Sequence, residues 1–388
     1  MTVDAVIRSR ILMLGMDQPV PPHGGTRLRL LHLARQAATV HDVKMLAVGE
    51  APTHIEEPFA LEGVGWGRSR LSALARSATK PYLYHRLNST AMADAVARHP
   101  TDLIQISSIY FDRAAACAAP APVILDAHNV ETQIVTTQAR SDRSSLQRAR
   151  WRWEAVTTNR YERRVLGGVD AVLACSDDDA AFFERLTRRV VIVPNGVDLA
   201  ATPFGPPAAT PTVVYLGLYS YRPNEVAALR LTDDVMSRVW TRLPDATLRL
   251  VGADPTPAMV ERAGPRVEVT GRVDDAVAEL ERSRVLVIAL TAGSGTRLKA
   301  IEAMASGTVV VSTTTGVAGL GVANGEHVLI ADTDHDLAEA TQRVLTDDAL
   351  ATRLASNARR LVEQRFDWSR CAAPMLALHD DLLTGSAR

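Results

Sequence analysis

The stretch 285-VLVIALTAGSGTRLKAIEAMASGTVVVSTTTGVAG-319 decides how the rest of the chain is read. An apolar run, Val285 to Leu290, leads into the small-residue turn Ala292, Gly293, Ser294, Gly295. A helical pattern follows with Arg297, Lys299 and Glu302, and then a second apolar run, Val309 to Ser312. Strand, glycine turn, helix and strand is the repeating unit of a parallel α/β sheet. A glycine-rich turn at a helix start presents backbone N–H groups that the helix leaves unpaired, and the helix dipole adds partial positive charge there. Two cations follow within a turn, so the place suits an anion, a phosphate above all. Glu302 has the wrong sign for phosphate and the right chemistry to accept hydrogen bonds from a ribose diol. Phosphate and ribose together indicate a nucleotide. A glycine turn can also serve geometry alone, but Lys299 adds weight. The chain takes its positive charge almost entirely from arginine, and its only lysines are Lys44, Lys80 and Lys299.

Outward from this stretch, the same alternation recurs in both halves. In the first, strands are expected at Ile11–Gly15, Val43–Val48, Leu103–Ile106, Val123–Asp126, Ala171–Ala174 and Val190–Val193. A Pro/Gly loop with Gly24 and Gly25 precedes a helix from about Arg27 to Ala37. In the second, they are expected at Val213–Gly217, Thr247–Gly252, Val267–Thr270, Val285–Leu290, Val309–Ser312 and Val328–Ile330. The Pro-, Ala- and Thr-rich stretch near 199–212 reads as a linker. The expectation is therefore α/β: two Rossmann-like domains with parallel sheets facing across a cleft. Residues 1–198 form the first and 213–366 the second, and a C-terminal helix, about 367–388, crosses back to the first domain. With 388 residues, two cores are the natural division.

Composition narrows the partners. A net charge of −1 gives no global pull towards nucleic acid. Cys117, Cys175 and Cys371 are widely spaced, which favours neither a disulfide framework nor a zinc site. No run approaches a membrane-spanning length, and the opening MTVDAVIRSRILMLGMD lacks the basic-then-apolar pattern of a signal peptide. A cytoplasmic location is expected, with at most peripheral membrane contact. The basic, Trp-containing segment SSLQRARWRWEAVTTNRYERR (144–164) bears on that contact. It suits an anionic membrane surface, but the plainer reading, an exposed helix of the first domain, is preferred. Asp177-Asp178-Asp179 imitates a metal-binding acidic motif; Ser176 instead reads as a helix cap, with acids complementing the dipole in the first turn.

Several segments together resemble the family 4 glycosyltransferases of the GT-B fold, in particular a bacterial branch with the form GSGTRLKxxE. They are MLGMDQPVPPHGGTRLRLLHLA, LDAHNVET, ACSDDDAAFF and VIVPNGVD in the first half, and VVYLGLYSYRPN, LRLVGAD, VEVTGRVDD and GSGTRLKAIEAMASGTVVVSTTTGVAGL in the second. The likeness covers nearly the whole chain. It implies transfer of a sugar from a nucleotide-diphosphate sugar, a UDP-sugar as first choice, with retention of configuration and no metal or other cofactor.

The resemblance also implies roles. Glu302 matches the ribose-binding glutamate. The family's other glutamate, eight residues earlier, is Ser294 here, so that hydroxyl and the amides of Gly295 and Thr296 take its place beside the donor. The usual cation pair after the first strand of this domain is replaced by Leu218 and Pro223, with Arg222 adjacent. Charge stabilisation therefore falls to Arg297 and Lys299. Gly217 allows close backbone approach, and Val273 lies where the family's backbone meets the base. Gly24 and Gly25 match the first-domain glycine loop. His128 is the implied residue of the reacting region. Asp126 and Glu131 flank it on the acceptor side, Glu131 either orienting His128 or binding acceptor and Asp126 alternatively capping the turn. The acceptor is a saccharide, a lipid-linked saccharide or a small natural product. Two other readings stay open: a nucleotide-sugar epimerase of the same fold, and a non-catalytic nucleotide-sugar binder.

Overall fold

The computed structural model describes residues 8–22, 24–52, 54–70, 72–73, 80–141, 144–292 and 297–385. The chain forms two units. The first runs to Asn195 and takes in the chain's end from Cys371 onward; the second is Gly196–Arg370.

The first unit holds seven strands: β1 (Arg10–Gly15), β2 (Asp42–Val48), β3 (Ala60–Val64), β4 (Leu103–Ile106), β5 (Val123–Ala127), β6 (Ala171–Ala174) and β7 (Val190–Ile192). Their order across the sheet is β3-β2-β1-β4-β5-β6-β7, and every pairing is parallel. β1, β4, β5 and β6 are largely apolar because helices cover both faces of such a sheet, and nearly all their side chains are buried, Gln105 and Asp126 among them. Strand β3, ALEGV, has no such run. It lies at the sheet's edge with only Val64 buried, and the sequence pattern did not reveal it.

The second unit repeats the plan with six strands: β8 (Thr212–Leu216), β9 (Thr247–Val251), β10 (Val267–Gly271), β11 (Val285–Ile288), β12 (Val309–Ser312) and β13 (Leu329–Ile330), in the order β10-β9-β8-β11-β12-β13. Both sheets thus have the doubly wound order in which the chain reverses direction beside its first strand, between β1 and β4 and between β8 and β11. Loops on either side of such a switch point part and leave a crevice at the strands' carboxyl ends.

Residues 199–212, read from the sequence as a linker, belong to the second unit. Gly205 N–H donates to Ser306 O (3.0 Å), and Arg359 and Arg284 donate to the carbonyls of Thr202 and Ala208. Gly205 comes so close to Gly307 that a Cβ on Gly307 would lie 2.0 Å from Gly205 O. Gly307 also ends the helix Leu298–Ser306 in the left-handed conformation (φ 98°), so glycine is required there twice over. The helical tail is two helices, Asp348–Arg365 and Trp368–Leu383, because Phe366 and Asp367 leave the helical path and the Asp367 carboxylate accepts from Ser369 N–H. Ser176 caps the helix Asp177–Phe183 by accepting from Asp179 N–H, with the three aspartates in its first turn, as the sequence suggested.

Within the first unit, His379 of the last helix is fully buried against Gln105 of β4 (Nε2 to Oε1, 3.0 Å) and the ring of His41. Burial, with a smaller push from His41, lowers its pKa from 6.5 to about 3, so it folds as the neutral ring. A lowered folded pKa means the unfolded chain binds the proton first. The stability due to neutral His379 is complete above 6.5 and drains away as the pH falls towards 3. We expect the melting temperature to fall more steeply between pH 7 and 4 in the wild type than in His379→Gln, which has no charge to gain. Parallel curves would show that His379 does not carry this dependence.

Candidate functional site

In the first unit the carboxyl edge of the sheet is organised by an arginine. Arg29, on the helix Gly25–Ala37, is completely buried. Its guanidinium donates to Asp126 Oδ1 at the end of β5 (2.8 Å), to Val193 O (2.7 Å) and to Asn195 Oδ1 (2.9 Å). Burial works against the charge, but the adjacent Asp126 carboxylate and smaller contributions outweigh it, and Arg29 is held above its ordinary pKa. One side chain thereby ties the helix behind the glycine loop to the exits of β5 and β7. Asp126, expected on the acceptor side or as a turn cap, has a side chain only 1 % exposed, and it serves as Arg29's counter-ion.

Gly24 is the N-cap of that helix at φ 87°, a backbone conformation open chiefly to glycine, although a Cβ there would meet nothing within 4 Å. Its N-cap residue offers no side chain to cap it and no acid sits in its first turn, so among the described residues the first-turn amides lack a capping side chain. Arg27 in the first turn is paired with Asp17.

His128 follows β5. Both ring nitrogens are shielded from solvent and lack a hydrogen-bond partner among the described residues. Burial lowers its pKa to about 4, Asp126 opposing and Arg29 assisting, so at neutral pH the ring is uncharged and able both to donate and to accept. Glu131 therefore does not orient His128. It opens the helix Glu131–Ser141, where the buried Glu162 accepts from Glu131 N–H (2.8 Å), Thr132 N–H (3.2 Å) and the Thr132 hydroxyl. Burial, with Glu162 close by, raises Glu131 to about 7. Glu162 was not singled out from the sequence; a cap supplied from a helix 31 residues further on leaves no local signature.

In the second unit the candidate residues gather at the β8–β11 switch point. The turn residues Ser294, Gly295 and Thr296 lie outside the described residues. Arg297 is the N-cap of the helix Leu298–Ser306, which carries Lys299 and Glu302 one turn apart on one face. Lys299 Nζ lies 4.3 Å from the centre of the Tyr215 ring and donates to Asn224 Oδ1 (3.1 Å) and Tyr215 OH (3.3 Å). Tyr215 is the buried fourth residue of β8, and Asn224 is in the first turn of the helix Arg222–Arg230. Asn224 also accepts from Tyr215 OH (3.0 Å) and donates to Leu218 O (3.0 Å). Burial chiefly, and Arg297 next, lower Lys299 to about 7, with Glu302 opposing. Burial raises Glu302 to about 7, with Lys299 opposing. Among the described residues no group hydrogen-bonds the Glu302 carboxylate. Arg297 is likewise lowered by burial, with Tyr221 and Tyr215 opposing.

The sequence pointed to Lys299, Arg297 and Glu302 but not to Tyr215 and Asn224, which hold the ammonium. A tyrosine in an apolar strand and an asparagine near a helix start both have ordinary structural explanations. Asn224 also accounts for Gly217: a Cβ there would lie 3.1 Å from Asn224 Cγ. A Cβ on Gly252, at the end of β9, would lie 1.7 Å from Gly217 O, so the two loops are pressed together. Tyr219 OH locks them by donating towards Tyr215 O and Val251 O. Arg222 is occupied by Glu225 (2.5 Å) in its own helix. Val273 follows Gly271 (φ 70°) and packs against the second core. A hollow of 620 Å³ lined by Thr212, Arg249, Gly264 and Arg282 opens at the amino ends of β8–β10, the edge away from Lys299. Among the described residues one cluster, His335, Asp336 and Glu339, has metal-ligand spacing; it is fully exposed.

The two candidate sites are thus the Lys299 cluster at the switch point of one Rossmann-like sheet and the helix behind the glycine loop of the other. The chain belongs to the family 4 glycosyltransferases of the GT-B fold. Residues 23–201 match the family described as Glycosyltransferase Family 4, and residues 210–347 match Glycosyl transferases group 1. Glycogen synthase of Mycobacterium tuberculosis (strain ATCC 25618 / H37Rv) is 27% identical over 221 residues, covering 52% of each chain. The chain thus spans about half the length of that curated relative. Among solved structures, sucrose-phosphate synthase from Thermosynechococcus elongatus superposes with a TM-score of 0.74 at 23% identity, over 97% of this chain and 100% of that one. The Anabaena protein HepE, solved with UDP and glucose, superposes with a TM-score of 0.70 at 18% identity, over 96% and 100%. At these identities the structural likeness speaks for the fold.

Removing the Asp126 carboxylate would strand Arg29 as a buried, unpaired charge. Asp126→Ala should destabilise the protein by about 3–5 kcal/mol in urea unfolding. A loss below about 1 kcal/mol would remove this pair from its structural role.

Proposed function

We propose that this protein transfers a sugar from a nucleotide-diphosphate sugar, a UDP-sugar as first choice, to an acceptor hydroxyl, with retention of configuration and without a metal. The observation that chiefly supports the reading is the Lys299 ammonium, desolvated and held by Tyr215 and Asn224, one turn from the Glu302 carboxylate, which has no hydrogen-bond partner among the described residues. A partly buried cation without a carboxylate in hydrogen-bond contact is costly unless something anionic completes it. HepE, which shares the fold, is solved in complex with UDP, and uridine is the base tested first.

The roles follow from charge. Glu302 accepts from the ribose hydroxyls. Lys299 and Arg297 meet the diphosphate, with the backbone of Ser294, Gly295 and Thr296. As the anomeric C–O bond breaks, negative charge accumulates on the departing phosphate oxygen, and a preorganised ammonium stabilises it without any reorganisation of solvent. That oxygen takes the proton of the acceptor hydroxyl on the same face of the sugar, so no separate protein base is needed. Neutral His128, with two uncommitted ring nitrogens, is suited to hydrogen-bond sugar hydroxyls in the reacting region. The open helix start at Gly24 and Gly25 suits an anion's oxygens. The backbone near Val273 is assigned to the base. The acceptor is a saccharide, a lipid-linked saccharide or a small natural product.

A thermal-shift panel of UDP, GDP, ADP, TDP and their common sugars in EDTA tests this reading, since a ligand of the folded state raises its melting temperature. A shift with uridine nucleotides is expected, and it should vanish in Glu302→Ala. No shift with any nucleotide would contradict the proposal. Once an acceptor is found, Lys299→Ala should lower turnover by roughly two to three orders of magnitude, the scale of losing one preorganised partner of a developing charge. An unchanged rate would take Lys299 out of the mechanism.

A further inference from the structure

Trp66 stands just past the end of β3 with 48 % of its surface exposed. It is held rather than loose. Gly67 N–H donates to Arg86 O (2.8 Å), Arg68 N–H donates to His85 O (3.0 Å), and the Arg86 guanidinium donates back to Arg68 O (2.7 Å). Arg86, on the helix Tyr82–Leu87, lies over the indole with its Cζ 4.5 Å from the ring centre. The close approach needs a glycine, since a Cβ on Gly67 would lie 2.8 Å from Arg86 O. A large aromatic ring is thus fixed in place while much of it stays in contact with water.

The ring forms one wall of a 420 Å³ hollow in the first unit, a volume suited to a small ligand. Arg68 and Arg113 also line it, with Asn88, Ser89 and Thr90 where the helix Thr90–Arg98 begins. No acid lines it among the described residues. The nearby Asp112 carboxylate is taken by Asn88, Tyr161 and Arg164, and that of Glu154 by Tyr82 N–H. Asp94, further along the helix Thr90–Arg98, is not a lining residue. Residues 71 and 74–79, outside the described residues, add one arginine and no acid to the sequence here. Cations gather instead. Burial works to raise the pKa of the Tyr84 hydroxyl, yet hydrogen bonds from Lys80 and Arg113 and the charges of both lower it. A fixed aromatic ring is a platform for the C–H face of a pyranose, amide and hydroxyl side chains suit its hydroxyls, and arginines take an anionic substituent. Trp66 is the one aromatic residue lining the hollow among those described, so a nucleic-acid strand finds no second platform for its bases.

We propose that this hollow is a subsite for an anionic sugar unit of the acceptor, its ring against Trp66 and its phosphate or carboxylate on Arg68 and Arg113. The inference rests on the reading of the chain as a sugar transferase, and it narrows the acceptor. β3 lies four strand positions from β5, which leads to His128. At the usual strand spacing that is about 19 Å. A sugar held at Trp66 is therefore a different unit from one whose hydroxyl reacts beside His128. The acceptor is then an anionic oligosaccharide, free or on a carrier, rather than a single small molecule.

The test is saturation-transfer NMR on the full chain with glucose 6-phosphate, glucuronate and glucose, in the presence of UDP to fill the Lys299 site. UDP binding is checked first by thermal shift. At least one of the two anionic sugars should bind, more weakly as salt is raised, and the comparison tells phosphate from carboxylate. Glucose should bind at least about tenfold more weakly, the effect of a lost charge-assisted hydrogen bond. Trp66→Ala and Arg68→Gln should each weaken the anionic sugar about tenfold on the same scale and leave the UDP shift unchanged. Both positions are exposed, and the retained UDP shift shows that the variants fold. A UDP shift with no binding of either anionic sugar would overturn this inference alone. So would glucose binding as tightly as the anionic sugars, or unchanged affinity in either folded variant. A missing UDP shift would overturn the transferase reading, and this inference with it.

Discussion

Every strand in both sheets is parallel, and the chemistry of the molecule follows from that constraint. A parallel strand must return through a crossover, so helices cover both faces and the strands become apolar runs. Polar groups are then rare within the sheet, Gln105 of β4 being one, and the rest collect where the strands end. Arg29, Asp126 and His128 gather at the carboxyl edge of the first sheet, and Tyr215, Asn224, Lys299 and Glu302 at that of the second. Each edge solves its electrostatic problem differently. In the first, Arg29 and Asp126 neutralise one another out of water and leave His128 uncharged beside them. In the second, Lys299 receives an aromatic face and an amide oxygen, and burial, with Arg297 next, lowers its proton affinity.

The family resemblance and this electrostatic asymmetry bear on the same question. The chain lacks the arginine and lysine usual after the first strand of the nucleotide domain, having Leu218 and Pro223 there. Leu218 is half exposed and Pro223 opens a helix, so neither position supplies charge. Arg222, the nearest cation in sequence, is held by Glu225. Positive charge at this switch point falls to Arg297 and Lys299, which is why the Tyr215–Asn224 cradle matters: it positions an ammonium without neutralising it.

The apolar strands and the helix cap at Ser176 were legible from the sequence because they obey local rules. Val285–Ile288 and Val309–Ser312 are buried runs, and Ser176 is a cap three residues from the Asp179 N–H it accepts. What escaped depends on contacts between distant segments. The edge strand Ala60–Val64 has only one buried side chain to announce it. Asp126 is drawn into the interior by an arginine 97 residues away. Asn224 meets Lys299 across 75 residues, and Glu162 caps a helix that precedes its own. Periodicity carries no record of such pairings. The burial of Glu154 and Glu162 belongs to the same class.

The central claim is that Lys299 holds the diphosphate. Calorimetric titration of the wild type and of Lys299→Met with UDP and with uridine, free of metal, tests it most directly. The account predicts that the substitution weakens UDP binding at least tenfold, the effect of a lost charge-assisted hydrogen bond, while uridine binds both proteins alike. Equal weakening of both ligands, or UDP affinity unchanged by the substitution, would contradict it.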